Sequence, residues 1–449
     1  MALYQVSPVN TRRFIIAALS AALCCWGIWQ GARIGLARTL TEYATQPSDN
    51  LRDLVVRLAS VSDVKGAADR AAVLLPADAE THAARADVFQ RLEDYQQARN
   101  EFERAVQLRP RDYYLWMWLG VTRDQTEDQE GALRALRQSA ALAPSYAQPR
   151  WQLGNLLLRT GQWDQAFVEL RRAAESNPSF WPNVDDLAWG VYGRDAGAVV
   201  RVIHPETDTA RMALALFFAR HNQGAAALDQ FRSTVVKSDK KSESLLDDLL
   251  RAKAFPEAFE VWTYMHGVAL KDAGKDAGPI RDGGFEGVLT VGQTGFGWQI
   301  TPNVLNVAMS IDEGAHQSGA RSLRIDFRGN SIPPSPLLTQ IILVKPLTRY
   351  HFGLSALSKD FVSAADPVIT LIDASDPKDA VLAQSPPLRS DPNVWREFAI
   401  DFTTSANTQA ITITLARQAC ANDPCPAFGT VWLDSVSIKA TGEPTNPKN

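Results

Sequence analysis

The side chains able to do chemistry are scattered along this chain. It contains no G-x-x-x-x-G-K-[ST] phosphate loop, no H-E-x-x-H metal helix and no G-x-S-x-G nucleophile elbow. The six histidines (His82, His204, His221, His266, His316 and His351) lie far apart. Carboxylates are frequent in the first half, but stretches such as Leu92-Glu93-Asp94 read as solvated helix faces. A glycosidase needs two acids opposed across a cleft. Asp326, Asp401 and Asp434 fall on separate strand-like runs, with no pattern that pairs them. The expectation is a non-catalytic protein, with an unrecognised glycan hydrolase as an alternative. Cys420 and Cys425, in CANDPC, are close enough for a small disulfide, which implies an oxidising compartment. Free thiols are the alternative; zinc wants four ligands, and no His or further Cys is near.

The 449 residues are enough for two to four domains at roughly 100–200 residues each. Hydrophobic residues make up 45% and charged residues 21%, a globular composition rather than a disordered one. A net charge of -4 argues against nucleic acid as a partner, because such binders need a dense basic face. Phe14 to Ala32 carries no formal charge over 19 residues. At 1.5 Å per residue, such a helix covers about 28 Å, close to the ~30 Å hydrocarbon layer. Trp26 and Trp29 stand near its far end, where indoles favour the interface. The expectation is an uncleaved anchor through residues 14–32. The alternative is a signal peptide cut near Gly35-Leu36-Ala37. Basic residues flank both ends, so orientation rests on the cysteine pair, which favours a single pass through an inner membrane with the bulk in the periplasm.

Pro76, Pro110, Pro144 and Pro178 recur at intervals of 34. Aligned on them, Ala98, Ala132 and Ala166 coincide, as do Phe102, Leu136 and Leu170, and Leu119-Gly120 matches Leu153-Gly154. Each unit reads as an antiparallel helix pair in which small residues permit close approach and proline stops the second helix. The pattern resembles the tetratricopeptide repeat, in units 79–112, 113–146 and 147–180, with a degenerate half-unit before Pro76. Weaker units follow at 208–238 and 239–267. The resemblance implies a protein partner docked on the concave face. Trp116 takes a family core slot, which His82 fills one unit earlier. Trp118 lies off the core face, expected to pack against the next unit, with a partner anchor as the alternative.

After a Gly/Lys/Asp-rich stretch from Gly267, strand-like runs appear at Ser322–Phe327, Thr339–Val344, His351–Ala356, Val368–Ile372, Arg396–Phe402, Ala410–Ala416 and Val431–Ile438. Seven or eight short strands predict an antiparallel sandwich. The order DGGFE, Gly297-Trp298, HQSGARSLRI, Gln340, LTRYHFGLSALSK, WREFAIDFTT and VWLDSVSI resembles the carbohydrate-binding modules of xylanases and their galactose-binding-like relatives. That resemblance implies aromatic contacts to sugar, with Phe296, Trp298 and Trp395 as candidate ligand residues. Trp298, Trp395, Tyr350 and Trp432 hold motif positions that are usually core, and Phe296 in GQTGFGW is expected to be exposed. It also implies a structural calcium, whose matching carboxylates are Glu286 and Asp434; a salt bridge or cap is the alternative.

The expected fold is multidomain α plus β: an N-terminal transmembrane helix, an all-α tetratricopeptide-type solenoid and a C-terminal antiparallel β-sandwich of jelly-roll type. The expected boundaries are 1–40 for a cytoplasmic tip and anchor, 41–266 for the solenoid, 267–281 for a linker, 282–440 for the sandwich and 441–449 for a tail. The expected function is a membrane-anchored scaffold that docks protein and binds glycan, in polysaccharide assembly or export. The alternative is a purely structural assembly subunit whose sandwich binds protein.

Overall fold

A computed structural model describes residues 8–46, 63–237, 239–266, 280–287, 289–291, 294–330, 336–390, 393–420 and 424–442. Most of the expected linker, most of the tail, part of the half-unit before Pro76, and Pro333 and Pro334 lie outside these residues. The chain divides into two compact units, 1–193 with 201–203, and 194–200 with 204–449.

The first unit begins with α1 (Pro8–Thr45), an unbroken helix of 38 residues. Phe14, Ile16, Leu19, Leu23, Trp26 and Trp29 stand exposed on its first part, which is long and apolar enough to cross a membrane. Its last part is different. Leu40 and Tyr43 are buried against Ala67 and Ala71 of α2 (Val64–Leu74), and Ala44 packs with Val88 of α3 (Ala79–Arg91). One helix therefore supplies both the apolar span and the first rib of the repeats.

Three helix pairs follow: α3 with α4 (Tyr95–Leu108), α5 (Tyr113–Gln125) with α6 (Gln129–Leu142), and α7 (Ala147–Arg159) with α8 (Trp163–Ser176). The period of 34 governs their termini. Asp78 and Asp112 cap α3 and α5 by accepting the N–H two residues on. Asp94 and Asp128 cap α4 and α6 by accepting the N–H three residues on. The turn inside each pair takes a left-handed residue at the same slot: Glu93, Glu127 and Gly161, with φ of 60°, 62° and 77°. The close approach expected at the small slots is present. A Cβ on Gly120 would lie 2.6 Å from Leu136 Cγ, and one on Gly154 would lie 2.6 Å from Leu170 Cγ. The unit ends with α9 (Trp181–Val191); α10 (Ala196–Ile203) is split between the two units.

The second unit holds α11 (Asp208–Arg220), α12 (Gly224–Ser233), α13 (Asp239–Arg251) and α14 (Phe255–Met265), in the places of the two weaker repeats. Among the described residues, eleven strands then form two sheets. They are β1 (Thr290–Val291), β2 (Gln299–Ile300), β3 (Val307–Asp312), β4 (Ser322–Asn330), β5 (Pro336–Leu343), β6 (Arg349–Ser363), β7 (Pro367–Asp373), β8 (Val381–Gln384), β9 (Arg396–Thr403), β10 (Ala410–Arg417) and β11 (Pro426–Gly442). One sheet runs β1-β2-β5-β10-β7-β8, the other β3-β4-β11-β6-β9. Every pairing is antiparallel except β1 with β2. Alternation sends Leu323, Ile325 and Phe327 of β4, Val431 and Leu433 of β11, and Ile411, Ile413 and Leu415 of β10 into the shared core.

The sandwich is packed on helix. Phe255 is buried with Ala374 and Ala410. Lys253 Nζ donates to the Asp376 carbonyl at 2.6 Å. The guanidinium of Arg281 lies over the rings of Phe259 and Trp262, at 5.7 and 5.6 Å. The compact division therefore falls near α10, not at the glycine-rich stretch where composition places the boundary.

Candidate functional site

A recurring bond ties the first helix of each repeat to the proline before it. Trp116 Nε1 donates to the Pro110 carbonyl at 2.8 Å, and Arg150 Nε donates to that of Pro144 at 3.1 Å. His82 Nε2 sits 3.0 Å from the carbonyl of Pro76. Three different side chains, 34 residues apart, thus bond the equivalent carbonyl of their own repeat. Two of them also meet an acid nineteen residues on: His82 Nδ1 lies 2.6 Å from Glu101 Oε2, and Arg150 Nη1 lies 2.6 Å from Glu169 Oε2. Bonded to two acceptors, the His82 ring favours its protonated form. The Glu101 contact is the largest cause raising its pKa above the usual range.

A depression of about 670 Å³ lies in the first unit, bordered by the end of α1 and by residues of α3, α4 and α5. Glu42, Glu80 and Asp87 line it with Arg38, and Tyr114 and Trp118 form its aromatic wall. The two rings meet edge to face at 6.1 Å. Trp118, expected to serve packing, contacts the hydrophobic clusters of two successive pairs and also lines the groove.

A second surface lies on the five-stranded sheet, on the side facing away from the core. Arg324, Asp326 and Arg328 alternate outward from β4, opposite Trp432, Thr430 and Phe428 of β11. Trp432 is buried outside the hydrophobic core, on this outer face. Its indole donates to Asp312 Oδ2 at 2.7 Å, and the Arg324 guanidinium lies 5.5 Å above its ring. The indole bond is the main cause holding the Asp312 carboxyl below its usual range. Asp326 Oδ1 accepts from Thr430 Oγ1 and Arg324 Nε. At the other end Phe428 is 54% exposed beside Val362 at 70%, an apolar end to a polar strip. No sequence motif marks Phe428; its place in the same alternation as Trp432 is the signal that identifies it.

The candidate sugar ligands divide. Phe296, expected to be exposed, is 1% exposed. It is wedged between Phe259 and Trp262 at 5.0 and 6.0 Å, so it belongs to the helix–sandwich seam within the second unit. The neighbouring Gly295, with φ of 139°, lies so close to the Trp262 indole that a Cβ would overlap it. Trp298 is buried, stacked on Phe285 at 5.2 Å, with its N–H bonded to the Asp282 carbonyl. Trp395 is half-buried, one residue before β9.

Glu286 and Asp434 converge on one loop. Asp434 Oδ2 accepts from the N–H groups of Gln317 and Ser318 at 2.6 and 2.8 Å. Glu286 Oε1 accepts from those of Ala320 and Arg321 at 2.8 and 3.3 Å. Calcium takes six to eight oxygen ligands. These carboxylates face N–H donors instead, and among the described residues no three His, Cys, Asp or Glu side chains gather. The donor set does not fit a calcium shell; it fits a clamp that caps the 317–321 segment. Cys420 and Cys425 form a disulfide with their Cα atoms 5.9 Å apart, while Cys24 and Cys25 are free and exposed on α1.

Residues 83–147 match the family model described as tetratricopeptide repeat. No curated protein matches the chain. Among solved structures, the chain is similar to MamA at 16% identity, covering 38% of this chain and 88% of that one, with a TM-score of 0.29. It is similar to YrrB, described as a TPR protein with an unusual peptide-binding site, at 19% identity, covering 37% and 89%, with a TM-score of 0.27. It is also similar to MamA 41-end from Desulfovibrio magneticus RS-1 at 18% identity, covering 38% and 94%, with a TM-score of 0.30.

Proposed function

We propose that this protein is a membrane-anchored, non-catalytic scaffold of the cell envelope. It passes once through the inner membrane, holds its bulk in the periplasm and docks a protein partner in the repeat groove. The observation that carries this reading is the groove itself, an acidic depression with an aromatic wall, lined by the repeats that match the tetratricopeptide family and by the end of α1. The unbroken course of α1 supports an uncleaved anchor. Cleavage after Ala37 would cut the helix just before Leu40 and Tyr43, which bury against α2.

In this reading the outer face of the five-stranded sheet binds glycan. Phe428 offers a ring to a sugar face, and Asp326, Arg324 and Thr430 offer hydrogen-bonding groups beside it. This role belongs to the assembly or export of a cell-surface polysaccharide. The test is a glycan array probed with the full chain in detergent. Binding to a polysaccharide that falls at least tenfold in Phe428→Ala supports the proposal. Absence of binding to every polysaccharide removes the glycan role and favours the second reading, a structural assembly subunit. That reading is supported by the adjacent exposure of Phe428 and Val362, an apolar patch suited to protein contact.

A further inference from the structure

The disulfide sits beside a buried cation. Cys425 is 4% exposed and Arg417, the last residue of β10, is 2% exposed. Arg417 Nη2 lies 3.1 Å from Cys425 Sγ, and Nη1 donates to the Cys425 carbonyl at 2.9 Å. The guanidinium is fixed by other bonds that do not depend on the sulfurs. Nε donates to the Ala365 carbonyl at 3.0 Å, and Nη2 reaches Ser363 Oγ at 3.3 Å and the Pro426 carbonyl at 3.2 Å. Cys425 is also fixed, its N–H donating to Asn330 Oδ1 at 2.8 Å. Cys420, by contrast, is half-buried and lies beyond the end of β10.

The two sulfurs therefore differ in kind. A guanidinium keeps its charge even when buried. A cation at hydrogen-bond distance favours the thiolate over the thiol. In thiol–disulfide exchange the sulfur with the lower pKa is the better leaving group, and access decides which sulfur is attacked. Both rules select the same direction: attack on Cys420, departure of Cys425.

We propose that the Cys420–Cys425 bridge is a thiol–disulfide exchange site that accepts two electrons from a dithiol, with Arg417 placed to take up the charge of the departing Cys425 sulfur. One thiolate of the dithiol attacks Cys420 Sγ. A mixed disulfide forms as the Cys420–Cys425 bond breaks, and the electron pair leaves on Cys425 beside the guanidinium. The second thiol of the reductant loses its proton and attacks its partner sulfur in the mixed disulfide. Cys420 is released and takes a proton, and the reductant departs as its own disulfide. The protein is left with a Cys420 thiol and a Cys425 thiolate. Reduction frees Cys420, while Cys425 stays held through Asn330 and Arg417. Arg417 acts here as a positioning residue.

The test uses the full chain in detergent with Cys24 and Cys25 replaced by serine, reduced with dithiothreitol. Alkylation of each remaining cysteine by iodoacetamide is followed by peptide mass spectrometry across pH 5–10. Cys425 is expected to reach half its maximal rate at least one pH unit below Cys420, and below the ordinary thiol value of about 8.5. Arg417→Gln is expected to move the Cys425 midpoint up, with Arg417→Lys restoring part of the shift, and to slow reduction of the oxidised chain several-fold. A wild-type Cys425 that titrates with or above Cys420 overturns the proposal without recourse to any variant. So does an Arg417→Gln protein of unchanged circular dichroism whose Cys425 midpoint does not move.

Discussion

Replacing His82 by arginine tests whether the recurring bond to the proline carbonyl is one device built three ways. In the third pair, Arg150 bonds the Pro144 carbonyl and Glu169 with a group that does not lose its proton in the accessible range. In the first pair, His82 bonds the Pro76 carbonyl and Glu101 with a group that does. The folded pKa of His82 is raised above the ordinary value of about 6.5. Its contribution to stability is therefore complete below about pH 6.5 and is lost as pH rises through the folded value. Hydrogen bonds to charged groups contribute ~1.5–3 kcal/mol each. The opening free energy of α3 amides should accordingly fall by ~1–3 kcal/mol between pH 6 and pH 9 in the wild type. His82→Arg should keep both bonds and flatten that fall. The assay is amide hydrogen exchange by mass spectrometry, corrected for intrinsic rates, comparing α3 with α7 in each protein. Parallel pH profiles for wild type and His82→Arg would refute the reasoning, as would equal slopes in α3 and α7 of the wild type.

Two further perturbations follow from contacts described above. Gly120→Ala should lower the opening free energy of α5 and α6 by up to ~2 kcal/mol, because overpacking against Leu136 costs ~1–3 kcal/mol and the gain in helix propensity offsets only about 1 kcal/mol. Gly190→Ala in α9 meets nothing within 4 Å and should stabilise instead, by up to ~1 kcal/mol, so hydrogen exchange of the two variants should move in opposite directions. Asp434→Asn should weaken the 317–321 clamp by ~1–3 kcal/mol, seen as faster exchange at Gln317 and Ser318. Calcium or a chelator should leave that exchange unchanged in the wild type, and protection that rises with calcium would reinstate the metal.

The repeats are legible because their spacing is itself the physics. Each pair must present the same small and large residues to the next, so Ala98, Ala132 and Ala166 mark the stack directly. The bond from each first helix to the preceding proline carbonyl is not legible in the same way. A histidine, a tryptophan and an arginine have nothing in common as letters, and only their shared reach to a proline carbonyl unites them. Alternation located the strands but not their outer neighbours. It could not tell that Trp432 lies on the outer face, since a ring covered by Arg324 is as buried as one in the core. Phe296 looked free because Phe259 and Trp262, which enclose it, come from the other side of the glycine-rich stretch. The resemblance to carbohydrate-binding modules assigns Glu286 and Asp434 to calcium, and nothing in the letters shows that both accept from N–H groups of the 317–321 segment.

In the anchored state proposed above, the roll of α1 about its own axis would not be a private matter of its apolar first part. Leu40, Tyr43 and Ala44 key the helix into α2 and α3 at a fixed azimuth, so whichever way Trp26 and Trp29 settle at the interface also sets the compass bearing of Glu42 and the cleft it borders. No swivel intervenes over the described course of the helix, so in that proposed state a docked partner would meet the opening at a preset heading.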